Sequence, residues 1–292
     1  MDQTLRLYYP HPKFPSVSVT GSECSLNCEH CGGHYLNHMP DVSTPDKLKE
    51  VAVKLDERNG TGMLVSGGST GEGQVPLTPF ISTLRWIKDN TDLILNIHTG
   101  LVNKKDAEAI AYTGADMASV DLVGSDDTIK RVYGLDASFL DYTESLYVLK
   151  DAGMNVAPHV TIGLDFGDIV GEDDALTAAL TMEPEVVVIN ALIPTSGTGM
   201  ADVKPPAHET ILGFFKKALE YDSDIHISMG CMRPRNNKPA LEQAAVMTGI
   251  HRLALPSNST VKWLEEQDIK TRIIDACCAI PVNLEYLALR QA

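Results

Sequence analysis

No run of this sequence approaches the roughly eighteen consecutive apolar residues of a membrane span, and residues 1–10 lack a signal peptide's hydrophobic core. Basic charge is scarce too: 24 Lys and Arg stand against 39 Asp and Glu, a net −15 at pH 7. Nucleic acids and anionic membranes both demand a basic surface, so neither is expected as a partner. There is also no linker or shift of composition to divide the chain, which argues for a single domain over residues 1–292. With 43% hydrophobic residues that domain can bury a sizeable core. A chain with these absences is expected in the cytoplasm, a reducing compartment, where its six cysteines read as ligands rather than disulfides.

Three of those cysteines lie together in Cys24-Ser-Leu-Asn-Cys28-Glu-His-Cys31, on a loop leaving an extended stretch at residues 15–21. Thiolates at this spacing make a compact soft-ligand site that suits zinc, Cu(I) or an iron–sulfur cluster. A structural zinc site wants four closed ligands, which His30, His34 or His38 could complete. A cubane cluster on three cysteines would instead keep one iron open to a substrate or cofactor.

Past this loop, short β-branched runs alternate with longer amphipathic stretches. Strands are expected over 16–20, 62–65, 92–98, 117–123, 156–164, 185–193, 225–229 and 252–255. Helices are expected over 46–58, 76–89, 104–112, 125–132, 140–152, 173–181, 210–221, 240–247 and 261–267, with Ser43, Thr44 and Pro45 opening the first. Part of the remaining tail also looks helical. Strict alternation argues for a parallel sheet, and eight units close naturally into a (β/α)8 TIM-type barrel, with an open doubly wound sheet as the alternative. A short tail from about residue 257 carries Cys277 and Cys278.

In such a barrel the reactive residues gather at the C-terminal ends of strands. The three cysteines follow the first strand. Ser66-Gly67-Gly68-Ser69-Thr70 follows the second, where paired glycines let the backbone approach a ligand closely. His98 ends the third strand. Asp121 ends the fourth, and its carboxylate can hydrogen-bond a ribose diol or cap the next helix. His159 and Thr161 share a face of the fifth, with His159 reading as an interior hydrogen-bonded side chain. The sixth runs into Asn190-Ala-Leu-Ile-Pro194-Thr-Ser-Gly197-Thr198, and the seventh into Gly230-Cys231-Met232-Arg233-Pro234-Arg235. Arg233 and Arg235 are expected to lower the Cys231 thiol's pKa or to clamp an anionic group of a substrate. Cys277 and Cys278, being adjacent, can both ligate one cluster only where the backbone is irregular.

The Cys-x3-Cys-x2-Cys spacing after the first strand resembles the signature of the radical S-adenosylmethionine (SAM) superfamily, and His30 stands where that family carries an aromatic. The resemblance implies a [4Fe-4S] cluster on Cys24, Cys28 and Cys31, SAM on the open iron, and a 5′-deoxyadenosyl radical that abstracts hydrogen from an unactivated C–H. Ser66-Gly67-Gly68 resembles the family's Gly-Gly-Glu segment that holds the SAM ammonium, although Ser69 stands where an acid is common. The segment Asn190 to Thr198, including Pro194, is similar to one in biotin synthase that helps line the adenosyl site. The overall pattern, with Gly-Cys-Met-Arg-Pro-Arg and a Cys277-Cys278 pair, resembles the biotin-synthase-like subunit of the archaeal-type two-component lipoyl synthase. That likeness implies sulfur insertion into an octanoyl chain, with an auxiliary iron–sulfur cluster on Cys231, Cys277 and Cys278 as sulfur donor. Arg233 or Arg235 would be its fourth ligand, by analogy with the arginine in biotin synthase. Partners implied are a lipoyl-carrier protein bearing octanoyl-lysine, a second radical SAM subunit and a ferredoxin-type electron donor. Three alternatives remain open: radical rearrangement or methylation of a small molecule without an auxiliary cluster, a non-catalytic iron–sulfur carrier, and a zinc-binding module.

Overall fold

The computed structural model describes residues 4–221 and 224–290. Ten parallel strands form one sheet: β1 (Leu5–Tyr8), β2 (Ser16–Ser18), β3 (Gly62–Ser66), β4 (Ile94–His98), β5 (Met117–Asp121), β6 (Val156–Ile162), β7 (Val186–Ala191), β8 (His226–Met229), β9 (Arg252–Ala254) and β10 (Thr271–Ile274). Their order is β2 through β9 in sequence, followed by β1 and then β10. All eight expected strands are present, and the stretches between consecutive ones carry the helices α1 (Pro45–Glu57), α2 (Ile81–Asn90), α3 (Lys104–Tyr112), α4 (Asp126–Thr128), α5 (Phe139–Asp151), α6 (Glu172–Thr181), α7 (His208–Glu220) and α8 (Lys238–Thr248), with α9 (Asn258–Glu266) after β9.

The sheet exceeds the expected eight strands because β1 pairs in parallel with β9 and with β10, Arg6 standing beside both Arg252 and Arg272. Alternation divides these strands between two cores. Leu5 and Leu7 join the apolar layer beneath the helices, while Tyr8 joins a smaller cluster inside the sheet's curl. Strands β2 and β10 share no ladder among the described residues. The gap between them is bridged by side chains: Thr61 Oγ1 donates to the Asp275 carbonyl, and Lys13 Nζ lies 3.2 Å from Asp275 Oδ2.

The helices begin where local chemistry dictates. Thr44 Oγ1 accepts from the Lys47 amide at 3.3 Å with Pro45 next, and Ser138 and Asp141 form a reciprocal capping box on α5. After α4 the chain widens into one π-helical turn, Ile129–Tyr133, which delivers Tyr133 to the interior.

Among the described residues, helical structure in the tail after β10 is confined to its end, a 3-10 segment at Val282–Ala288. After β10 the tail enters the curl from the N-terminal end of the strands, and Ala276, Cys278, Ala279 and Ile280 pack against Ile94, Met117, Ala157, Val186 and Ala254. A 3-10 turn, Val282–Ala288, then covers that end, with the Val282 amide 2.9 Å from Glu185 Oε2 just before β7. The lumen therefore has a floor made of the chain's own tail.

Candidate functional site

Above that floor lies a cavity of about 360 Å³, and all six cysteines line it. Cys24, Cys28 and Cys31 stand on the loop after β2. Cys231 comes from the end of β8, and Cys277 and Cys278 rise from the tail turn.

Several contacts fix the cysteine loop. The Glu29 amide donates to the Val132 carbonyl at 2.9 Å, tying the loop to the π-helical turn. Across the mouth, Tyr35 and Thr195 share a hydroxyl hydrogen bond of 2.8 Å, and the Met200 amide donates to the Glu29 carbonyl at 3.2 Å. Gly68 is an obligatory glycine: a Cβ there would stand 2.0 Å from the Glu23 carbonyl oxygen and 2.7 Å from Cys24 Cα. This close approach lets the Ser69 amide donate to Cys24 Sγ at 3.4 Å.

The three thiols suit a polynuclear cluster. Burial, then the charges of Cys24 and Cys31, push the Cys28 thiol up to about 12. Three thiolates so placed need a cation between them. Of the three histidines that could complete a zinc site, His34 and His38 are not among the residues that line the cavity. His30 instead packs its ring edge-on to Tyr133 at 5.4 Å, occupying the aromatic place its position suggested.

The opposite wall, from β4 to β7, is polar. His98, Asp121, His159, Thr161 and Asn190 all line the cavity, as do Ser66, Gly67 and Gly68. His159 Nδ1 donates to the Ala157 carbonyl at 2.9 Å, so Nε2 is left as an acceptor toward the cavity. Burial, then the neighbouring His98, pull the His159 pKa down to about 4, and burial lowers His98 as well. Both imidazoles are neutral at physiological pH. Two buried polar atoms on this lining, His30 Nδ1 and Asn190 Oδ1, have no hydrogen-bond partner in the protein. A polar ligand would satisfy them. Pro194 is not among the lining residues; it lies in the loop beyond Ile193.

The two arginines after Cys231 stand elsewhere than expected. Arg233 is 2% exposed and turned away from the cavity. Its Nε and Nη2 donate to Glu242 Oε1, Nη2 also reaches the carbonyls of Ala254 at 2.7 Å and Leu255 at 2.9 Å, and Nη1 donates to the Gly230 carbonyl. All its nitrogens are occupied, so a ligand or anion-clamping role for Arg233 is corrected to a structural one. Arg235 is exposed and outside the lining, near enough to Tyr35 for its charge to act on that phenol. The Cys231 thiol, expected to be acidified, is instead shifted upward, by desolvation first and then by Cys278, with Arg233 opposing; its side chain is exposed, which weakens the desolvation.

Cys277 and Cys278 sit in an irregular turn, the backbone that two adjacent ligands require. The Asn96 amide donates to Cys277 Sγ at 3.6 Å, and Ser228 faces Cys278. Several residues of this site escaped sequence reasoning: Tyr133 and Tyr142 on the wall, and Arg252 beneath the floor. Nothing local marks the tyrosines: Tyr133 ends a π-helical turn, which has no sequence period of its own, and Tyr142 reads as an ordinary buried position of α5. Arg252 carried one signal, a lone cation at an inward position of an apolar strand.

This geometry and the family comparison agree on a class. The radical SAM superfamily model matches residues 18–180, and the chain belongs to that superfamily. Membership implies a [4Fe-4S] cluster and SAM, which when bound supply a 5′-deoxyadenosyl radical. More particularly, the chain is 27% identical over 200 residues to the mitochondrial biotin synthase of Arabidopsis thaliana, covering 65% of this chain and 51% of that one. It is 26% identical over 200 residues to the biotin synthase of Acinetobacter baylyi, covering 64% and 58%. The matched part thus spans little more than half the length of these relatives. Among solved structures the fold is similar to methylornithine synthase PylB, with a TM-score of 0.64 at 15% identity over 92% of this chain and 83% of that one. It is also similar to the hydrogenase maturase HydG, with a TM-score of 0.65 at 14% identity over 89% and 58%. No helix among the described residues is long and apolar enough to cross a membrane.

Proposed function

We propose that this chain is a sulfur-inserting radical SAM enzyme of the lipoyl synthase type, acting on an octanoyl chain attached to a carrier-protein lysine. The observation that carries the reading is the gathering of Cys231, Cys277 and Cys278, from two distant segments, in the same cavity as the cysteine loop. Three thiols held together inside a barrel have no disulfide to form in a reducing compartment and fit an iron–sulfur site. The likeness to biotin synthases supports sulfur chemistry.

In this reading Cys24, Cys28 and Cys31 hold the cluster that binds SAM. Ser66, Gly67 and Gly68 present backbone groups to its amino acid end, and Asp121 accepts from its ribose. Cys231, Cys277 and Cys278 hold an auxiliary cluster, the sulfur donor. His98 and His159, neutral and fixed, offer hydrogen bonds without charge, while Leu26, Leu101, Leu135 and Leu192 give a slender aliphatic chain an apolar path. Arg235, exposed and outside the cavity lining, would meet an anionic group on a carrier surface. A second radical SAM subunit would perform one of the two insertions, and a ferredoxin-type protein would supply electrons.

The test is iron and acid-labile sulfide per chain after anaerobic reconstitution, followed by assay on an octanoyl-lysine peptide. About eight irons should fall to about four when Cys231, Cys277 and Cys278 are replaced together by Ala, with SAM cleavage retained and thiolated peptide lost. About four irons in both chains would remove the sulfur source and favour rearrangement or methylation.

A further inference from the structure

Arg252 is fully buried on β9, and a buried cation is costly unless its partners are well placed. Its partners are the floor. Nη1 donates to the carbonyls of Cys278 at 2.8 Å and Ile280 at 2.7 Å, the turn that carries the paired thiols. Nη2 lies 3.0 Å from Glu285 Oε1 in the covering 3-10 turn. Glu285 in turn accepts from Tyr8 Oη at 2.5 Å and from Arg6 Nε at 2.7 Å, both on β1. Nε of Arg252 points to His226 Nδ1 at 3.4 Å, and its guanidinium lies 5.4 Å from the Tyr8 ring centroid.

Backbone bonds anchor the floor at its edge, the Asp275 amide donating to the Ala288 carbonyl at 2.8 Å, while within the turn the Ile280 amide stands 3.3 Å from the Cys277 carbonyl. The Arg252 contacts add to these in setting the turn's height in the lumen. We propose that Arg252 is a positioning residue that holds the Cys277–Cys278 turn at the level where both thiols enter the cavity beside Cys231. It acts through the turn's carbonyls and not through the sulfurs: Nη1 holds both carbonyls while Nη2 faces Glu285 and Nε faces His226, a spread of donors that a single lysine ammonium cannot reproduce. The functional weight of this placement rests on the reading of Cys231, Cys277 and Cys278 as one iron-binding site.

The experiment uses the full chain before any iron is added. Wild type, Arg252→Lys and the charge-neutral pair Arg252→Met/Glu285→Gln are alkylated with N-ethylmaleimide, and each cysteine's rate is read by peptide mass mapping. The double variant removes the buried Arg252–Glu285 pair together and leaves only the part-exposed Arg6 without its carboxylate, so it folds if the lysine variant does not. Cys277 and Cys278 should react about tenfold faster or more in the variants, through local opening, while Cys24, Cys28 and Cys31 keep the wild-type rate. Reconstituted variants should lose the irons of the floor site and retain SAM cleavage. Unchanged rates at Cys277 and Cys278, or an equal rise at all six thiols, overturn the positioning role. A wild type whose iron is indifferent to Cys231, Cys277 and Cys278 sinks the three-thiol reading separately, since the alkylation rates report the turn's position without iron.

Discussion

The side-chain amide of Asn96, wholly buried on β4, donates to Cys277 Sγ at 3.6 Å, while its carbonyl accepts from Ser119 Oγ at 2.9 Å on β5. Ser119 thereby fixes which end of the amide faces the sulfur. A donor aimed at a ligating sulfur stabilises the reduced, more negative cluster and raises its potential. With Cys277 a ligand of the proposed auxiliary cluster, Asn96→Leu should therefore lower that cluster's midpoint potential in a redox titration followed by electron paramagnetic resonance. A potential that stays put or rises would show that the amide does not act on a ligand.

Gly68 and Gly71 make a matched pair of tests. Alanine at Gly68 would drive a Cβ into the Glu23 carbonyl, whereas a Cβ at Gly71 meets nothing within 4 Å. A displacement on the order of 1 Å at the cysteine loop should cost roughly 100-fold in SAM cleavage. Gly71→Ala should cleave SAM at the wild-type rate. Equal activity in both variants would mean the loop does not depend on that close approach.

Arg233 should prove a fold residue. Glu242 is fully buried and also accepts from the Ser257 amide at 2.9 Å and from Thr260 Oγ1 at 2.7 Å. Arg233→Met leaves this carboxylate without its main counter-charge, at a cost of about 3–5 kcal/mol in urea unfolding. Iron bound per folded chain should not change. Iron loss with stability intact would restore Arg233 to the cluster.

Acid stability carries a further signature. Burial, then the charges of Arg252 and Arg6, pull the His226 pKa down to about 3, against an unfolded value of about 6.5. Between those values the unfolded chain binds the proton and the native one does not, so stability rises with pH. The contribution is fully present above about 6.5 and is lost as pH falls toward about 3. His226→Gln keeps an acceptor for Arg252 and does not titrate. Its stability relative to wild type should grow on acidification through this window and stay level above pH 7. A parallel pH profile would show that His226 is protonated in the native state.

Alternation of β-branched and amphipathic runs made the strand–helix units legible, because buried parallel strands and capped helices write local signals such as Thr44-Pro45 and Val186–Ile189. Strands β1 and β10 wrote none. Each is four residues long, finds its partners hundreds of positions away or across the floor, and lacks the helix that marks a repeating unit. The cysteine loop was legible from spacing. The orientation of Arg233 was not, since it depends on the buried Glu242 of α8, which reads in sequence as an ordinary helix carboxylate. The course of the tail was not legible, because its apolar residues fill the lumen of a sheet whose curl no local pattern records.

The floor also fixes an order of birth. Residues 274–280 enter a lumen whose walls are all synthesised earlier, and Arg6 of β1 has its sheet partners at Arg252 and Arg272. At a synthesis rate of about 5–20 residues per second, the earliest strand waits on the order of ten seconds or more for its neighbours. During that wait the cysteine loop already has Gly68 and Ser69 beside it, while the lower thiols do not yet exist. The lower thiols come together only as the interior is sealed, so on the reading proposed above the sulfur-donating site would be the last part of the protein to form.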